Sequence, residues 1–197
     1  LDSVPQLDKA RVDDLIVGNA VPEAEQGLQI GRMISVRALG TGVPGVTVNR
    51  YCASGLETIA IATARIRSGQ AECIIAGGTE SMSMVPTSGW KPVPAYSVAS
   101  ETPDYYLGMG LTAEAVAKEY GISREAQDEF SFLSHQKALN AIKQGYFKTG
   151  ILPVKVQQTL IDKNGKKQTR EFVVDTDEGP RADTSLEALA RLKPVFA

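Results

Sequence analysis

The run Cys73-Ile-Ile-Ala-Gly77 limits the fold of this chain more than any other segment. Residues 72–77 read as a strand apolar on both faces, and such a strand needs helices on both sides of a parallel sheet. The preceding residues supply the other parts of that unit. Residues 13–18 (Asp-Asp-Leu-Ile-Val-Gly) form a short strand pattern stopped by glycine, and Val46-Thr-Val48 forms another. Residues 28–39 place Ile30, Met33, Ile34 and Leu39 at near-helical spacing before Gly40 and Gly42. Residues 55–68 carry Leu56, Ile59, Ala60, Ala64 and Ile66 and stop at Gly69, the pattern of a buried helix. Strand, helix and strand in this order predict a βαβ core and an α/β fold.

Around residue 82 the character changes. Pro86, Pro92, Pro94 and Pro103 lie among serines, glycines and aromatics over residues 85–105, which predicts an irregular insert. Helical patterns return at 111–120 and 123–144, the second opening with Ser123 and Gln127. Residues 153–160 and 170–175 alternate like strands around Lys163-Asn-Gly-Lys166, a hairpin pattern. A short helix is predicted over 184–192. The expectation is an α/β core followed by a mixed α+β region.

Composition excludes several function classes. The 197 residues carry 21 Lys plus Arg against 23 Asp plus Glu, a formal charge of −2 that offers no basic footprint for nucleic acid. No apolar run approaches the roughly 20 residues of a membrane span. The opening Leu-Asp-Ser-Val-Pro has no signal-peptide regions and no initiator Met. Two cysteines, Cys52 and Cys73, and one histidine, His135, are too few for a zinc site and show no paired spacing. Free thiols suit a reducing compartment, so a cytoplasmic location is expected.

The chemistry concentrates in Val48-Asn-Arg-Tyr-Cys52-Ala-Ser-Gly-Leu56. The cysteine falls between a strand and the first turn of an apolar helix. Unpaired N–H groups and the helix dipole there favour negative charge, and the thiolate is the attacking form of cysteine. Gly55 is expected to permit close backbone approach. A small buried hydrophobe is the competing reading of Cys52, and the residues alone leave both open.

Five blocks taken in order resemble the thiolase family. They are Val48–Glu57, Ile75-Ala-Gly-Gly-Thr-Glu-Ser-Met-Ser83, Met109-Gly-Leu-Thr-Ala-Glu114, Ser123-Arg-Glu-Ala-Gln-Asp128 and Leu189-Ala-Arg-Leu-Lys-Pro-Val-Phe196. Together they cover nearly the whole chain. The resemblance implies thiolytic cleavage of a 3-ketoacyl-CoA to acetyl-CoA and a shortened acyl-CoA through a cysteine thioester, as in fatty-acid β-oxidation. Cys52 matches the acylated nucleophile, and its N–H would contribute to an oxyanion hole. Met109 matches a methionine lining the acyl pocket, against ordinary packing. Arg181 matches an arginine contacting the CoA nucleotide, against a plain solvated charge. Gly77, Gly78, Glu80 and Ser81 match a block packed beneath the nucleophile loop, with Glu80 hydrogen-bonded there. Cys73 is expected to be buried and inert, and His135 to be structural. Gly108 stands where biosynthetic relatives carry a histidine, a departure that favours a degradative enzyme.

The resemblance also implies a layered αβαβα architecture of two similar halves with the nucleophile in a tunnel. Residues 1–81 would be part of the amino-terminal core, residues 82–197 the inserted CoA-binding loop domain, and the carboxy-terminal catalytic domain absent. The family's activating histidine, second cysteine and asparagine motifs do not occur in this sequence, so the chain alone is expected to be inactive. Coenzyme A is then a substrate, with no cofactor or metal, and the assembly is a homodimer or homotetramer, a dimer being favoured. A biosynthetic acetoacetyl-CoA thiolase, a non-catalytic CoA-binding protein and a ketoacyl synthase are the alternatives. The Asn49–Gly55 and Gly77–Met82 details speak against the last.

Overall fold

A computed structural model describes residue 1 and residues 3–196, and the chain divides into two compact units, Leu1–Ala95 and Tyr96–Ala197. The first unit is built on three parallel strands, β1 (Asp14–Gly18), β2 (Gly45–Val48) and β3 (Ile74–Gly78), in the order β2-β1-β3. Helix α1 (Ile30–Ala38) connects β1 to β2, and α2 (Ser54–Arg67) connects β2 to β3. The first crossover runs from the central strand β1 out to β2, and the second runs back from β2 past β1 to β3, in the opposite direction. Right-handed connections therefore put α1 and α2 on opposite faces of the sheet.

This placement explains why β1 is the core. All five of its residues are buried, with Ile16 fully so, and Val12, Val43, Ala62 and Val85 join it. The register sets Ile16 between Val46 and Ala76, and Gly18 between Val48 and Gly78. Asp14 is buried at the strand's start because Arg65 of α2 reaches it at 2.5 Å, so the carboxyl does not stand unpaired in apolar surroundings. Glycine permits the closest helix–strand approaches. A Cβ on Gly31 of α1 would sit 2.3 Å from the Val46 carbonyl oxygen, and one on Gly18 would sit 2.8 Å from the Ser54 carbonyl carbon.

The strand expected over 72–77 begins two residues later and is half-buried at Ile74, Ile75 and Ala76, with Gly77 and Gly78 exposed. It is an edge strand of this sheet and lacks the two-sided cover its composition suggested. Cys73 therefore precedes the strand and is half-buried, which corrects the expectation of a fully buried thiol.

The second unit contains α3 (Tyr96–Glu101), α4 (Met109–Tyr120), α5 (Arg124–Lys143), the strands β4 (Val154–Ile161) and β5 (Lys167–Val174), and α6 (Leu186–Ala190). The proline-rich insert thus ends in a helix and a 3-10 turn, Pro103–Tyr106, with proline at the start where its missing N–H costs nothing. Gly121, at φ 63°, closes α4, and the Ser123 hydroxyl accepts from Ala126 N–H to open α5 where the sequence placed it. Arg124 donates to the carbonyls of Leu189 and Leu192 at the end of α6, holding that helix against α5.

The antiparallel hairpin pairs Val154 with Val174 and Ile161 with Lys167, so β5 starts three residues before its predicted limit. Its turn is stricter than an Asn-Gly pair suggests. Gly165 is left-handed (φ 74°) while Asn164 keeps a negative φ, and Gly165 N–H donates to the Asp162 carbonyl. That is a type I turn followed by a left-handed glycine.

Candidate active site

Cys52 lies between the end of β2 and the start of α2, as its sequence context requires, and it is exposed on this chain. The turn that carries it is unusual. Tyr51, immediately before it, has φ 47°, a left-handed conformation that crowds the Cβ of any residue other than glycine. Tyr51 stays there because its N–H donates to Asn49 Oδ1 (2.8 Å) and its carbonyl accepts from Ser54 N–H (3.0 Å) and Ser54 Oγ (2.6 Å). Ser54 Oγ in turn accepts from Arg50 N–H at 2.9 Å.

Helix α2 starts without a side-chain cap, since Ala53 has no oxygen to offer its leading N–H groups. The end of the helix that favours negative charge therefore faces the turn bearing the sulfur. Arg50 forms a two-pronged ion pair with Glu57 in the first turn, at 2.7 and 3.0 Å, which raises the guanidinium pKa through that hydrogen bond. This pair clamps the helix start to the nucleophile turn. Gly55 does not have the role predicted for it: nothing in the chain lies within 4 Å of a Cβ placed there. The close approach is made instead by Gly18, at the end of the central strand, against Ser54.

The block after β3 is tied to the loop after β1. Glu80 Oε1 accepts from Asn19 Nδ2 (3.2 Å) and Gln26 Nε2 (2.5 Å), and Oε2 accepts from Ala20 N–H (2.6 Å). Ser81 N–H donates to Gln26 Oε1 at 2.7 Å, and Thr79 accepts from Asn19 Nδ2 at 2.8 Å. Asn19 is buried, and its N–H reaches the last carbonyl of β2, Val48, at 3.0 Å. A Cβ on Gly78 would sit 3.3 Å from the Gly18 carbonyl oxygen, whereas one on Gly77 would meet nothing within 4 Å. Asn19, Gln26 and Asn49 were not singled out from the sequence. Asn49 carried a readable signal, because asparagine two residues before a turn position makes an Asx turn.

In the second unit, Met109 opens α4, is 70 % exposed, and lines an open apolar groove of about 410 Å³ with Thr112, Ala113, Val116, Ala117, Ile122 and Gln127. Arg181 does not line that groove. Its guanidinium pairs with Asp183 at 3.0 and 3.2 Å, which raises the arginine pKa and lowers the aspartate's. Its backbone N–H donates to His135 Nδ1 at 3.1 Å, so His135 anchors the Arg181 loop to α5. No group of metal-ligating side chains occurs among the described residues, and none of their helices is long and apolar enough to cross a membrane.

Residues 1–197 match the family described as Thiolase, N-terminal domain. The chain belongs to the thiolase family. It is 48 % identical over 190 residues to the 3-ketoacyl-CoA thiolase of Bacillus subtilis (strain 168), covering 96 % of this chain and 49 % of that protein. Identity to the acetyl-CoA acetyltransferase of Pseudomonas aeruginosa is 40 % over 205 residues, covering 96 % and 49 %. The crystal structure of the Bacillus anthracis acetyl-CoA acetyltransferase superposes with a TM-score of 0.78 at 32 % identity, covering all of this chain and 51 % of that one. The fold is thus the amino-terminal part of the thiolase fold. The thiolase chain spans about half the length of the relatives it matches.

Proposed function

We propose that the full-length protein is an acyl-CoA acyltransferase that cleaves 3-ketoacyl-CoA, with Cys52 as the acyl carrier. The observation that carries this reading is Cys52 itself: an exposed thiol on a turn fixed in a strained conformation, at the uncapped start of α2, in a thiolase chain. The Cys52 thiolate adds to the 3-keto carbonyl. The bond between C2 and C3 then breaks, its electron pair stays on C2, and a proton there gives acetyl-CoA. The acyl group remains on Cys52 as a thioester until the thiolate of free CoA takes it and returns the sulfur. Proton transfer at the thiol and at C2 falls to groups beyond this chain, in keeping with its half-length match.

Met109 is read as part of the acyl-binding wall, supported by its place in the apolar groove. Arg181 is read as a CoA contact, supported by its exposed, permanently charged guanidinium. CoA is a substrate here, and no resident cofactor is invoked. The degradative direction is favoured by the higher identity to a 3-ketoacyl-CoA thiolase than to an acetyl-CoA acetyltransferase, and by Gly108. The two free cysteines support a cytoplasmic setting. A homodimer is the assembly we favour.

The test is the intact mass of the full-length protein before and after incubation with acetyl-CoA. A gain of one acetyl group that disappears in Cys52→Ala is the expected result. Acetylation that persists in Cys52→Ala would move the nucleophile elsewhere, and CoA binding without any acetylation would leave a non-catalytic binder.

A further inference from the structure

Three hydrogen bonds in series run from the loop after β3 to the residue that precedes Cys52. Glu80 Oε2 accepts from Ala20 N–H at 2.6 Å. The Ala20 carbonyl accepts from Asn49 Nδ2 at 3.0 Å. Asn49 Oδ1 accepts from Tyr51 N–H at 2.8 Å. At the far end Glu80 is itself held by Asn19 and Gln26, while Asn19 N–H is bonded to the end of β2. At the near end stands the left-handed Tyr51, whose carbonyl also receives two bonds from Ser54.

We propose that Asn49 is a positioning residue for the Cys52 nucleophile, holding Tyr51 left-handed and anchoring the turn to Ala20 and Glu80. This rests on the reading of Cys52 as the acyl carrier. The side-chain chemistry fits only a carboxamide. Asn49 must donate toward the Ala20 carbonyl and accept from the Tyr51 N–H at once, and one short amide does both. Aspartate keeps the acceptor and loses the donor, and alanine loses both. A left-handed non-glycine residue persists only where its surroundings over-determine it, and such residues gather at functional sites. Without these bonds Tyr51 relaxes toward negative φ, and rotation at one residue displaces the adjacent sulfur. A displacement on the order of 1 Å at a reacting atom can cost a factor on the order of 10² in rate.

The experiment uses the full-length protein and follows acetylation of Cys52 by acetyl-CoA in wild type, Asn49→Ala, Asn49→Asp, Glu80→Ala and the Asn49→Ala/Glu80→Ala double variant. At saturating acetyl-CoA both Asn49 variants are expected to acetylate about tenfold or more slowly, with KM changed by less than about threefold and the melting midpoint held within a few degrees. Asn49 is exposed on this chain, so its replacement removes little packing within it. Because Glu80 acts through Asn49, the double variant is expected to be no slower than the slower single one. Unchanged acetylation in Asn49→Ala overturns the proposal, as does a loss confined to Asn49→Asp, which would reflect added charge. Losses that multiply in the double variant break the proposed series. If wild-type Cys52 takes no acetyl group, the functional reading falls and the positioning role with it. Acetylation of wild type that is matched by Asn49→Ala sinks the positioning role alone.

Discussion

In Leu1–Ala95 the whole of β1 is buried, whereas among the described residues of Tyr96–Ala197 none is. The first unit sandwiches one strand between two helices and closes the remaining gaps with glycine. The second holds its elements by capped helix ends, the Arg124 anchor and the eight-residue hairpin ladder. It leaves Phe130 77 % and Tyr146 71 % exposed. A local core fixes geometry in the unit that carries the proposed nucleophile, and hydrogen bonds with half-buried side-chain contacts keep the other in shape. An element held mainly by exposed hydrogen bonds opens more readily than one held by burial.

The largest effect that can break this comparison comes from truncating one apolar side chain in each unit. Ile16→Ala, at a fully buried position, is expected to cost about 2–5 kcal/mol. Phe130→Ala, mostly exposed, is expected to change stability by no more than about 0.5 kcal/mol. Urea unfolding of the 197-residue chain measures both. Equal losses would mean that the second unit has a core the structure does not show. A loss for Phe130→Ala seen only in the longer protein would identify a surface covered by the remaining half.

Glycine replacements give a smaller and sharper contrast. In the first unit Gly18→Ala drives a methyl to 2.8 Å from the Ser54 backbone, and overpacking of this kind costs about 1–3 kcal/mol. In the second unit Gly121→Ala meets nothing within 4 Å, and only its left-handed φ of 63° opposes it, at about 1 kcal/mol. The two also separate by function in the full-length protein. Gly18→Ala shifts the start of α2 and is expected to slow Cys52 acetylation, which Gly121→Ala leaves alone. Equal effects on acetylation would detach the nucleophile turn from the strand beneath it.

Most elements of both units were legible because each rests on a local signal, α3 (Tyr96–Glu101) being the exception inside the stretch read as irregular. Glycine stops, apolar spacing and the Ser123 cap gave helices α1, α2, α4 and α5 to within about two residues. Cys52 was legible as a cysteine between strand and helix. What the sequence hid is how distant residues meet. Cys73 sits in an apolar run yet is half-buried, because β3 is an edge strand of this sheet and composition does not report strand order. The predicted close approach at Gly55 belongs to Gly18, since a glycine's neighbours across the sheet are set by crossover direction. Asn19 and Gln26 went unnoticed because their shared partner Glu80 lies 61 and 54 residues away, and for Asn49 only the local bond to Tyr51 was readable, its partner Ala20 lying 29 residues away.

The smallest predicted effect blurs the contrast, because each unit uses the same device at one solvent-accessible aspartate. Asp13 accepts the N–H groups of Cys73 and Glu72 at the start of β3, and those bonds lower its pKa below the ordinary 3.8. Asp162 accepts those of Lys166 and Asn164 in the hairpin turn and is lowered for the same reason. A depressed folded-state pKa means that each carboxylate stabilises its turn above 3.8, and that this is lost as pH falls through the lower folded value. Carboxyl titration by NMR is expected to place both midpoints below 3.8, with Asp162→Asn abolishing the acid-dependent opening of the hairpin amides and Asp13→Asn that of the β3 start. Solvent screens both groups, so the effects on global stability are slight. A midpoint at or above 3.8 for Asp162 alone would mean that the hairpin's turn is held by Gly165 and its backbone bonds without the carboxylate. That would leave anchoring through a carboxylate to the unit that already possesses a core.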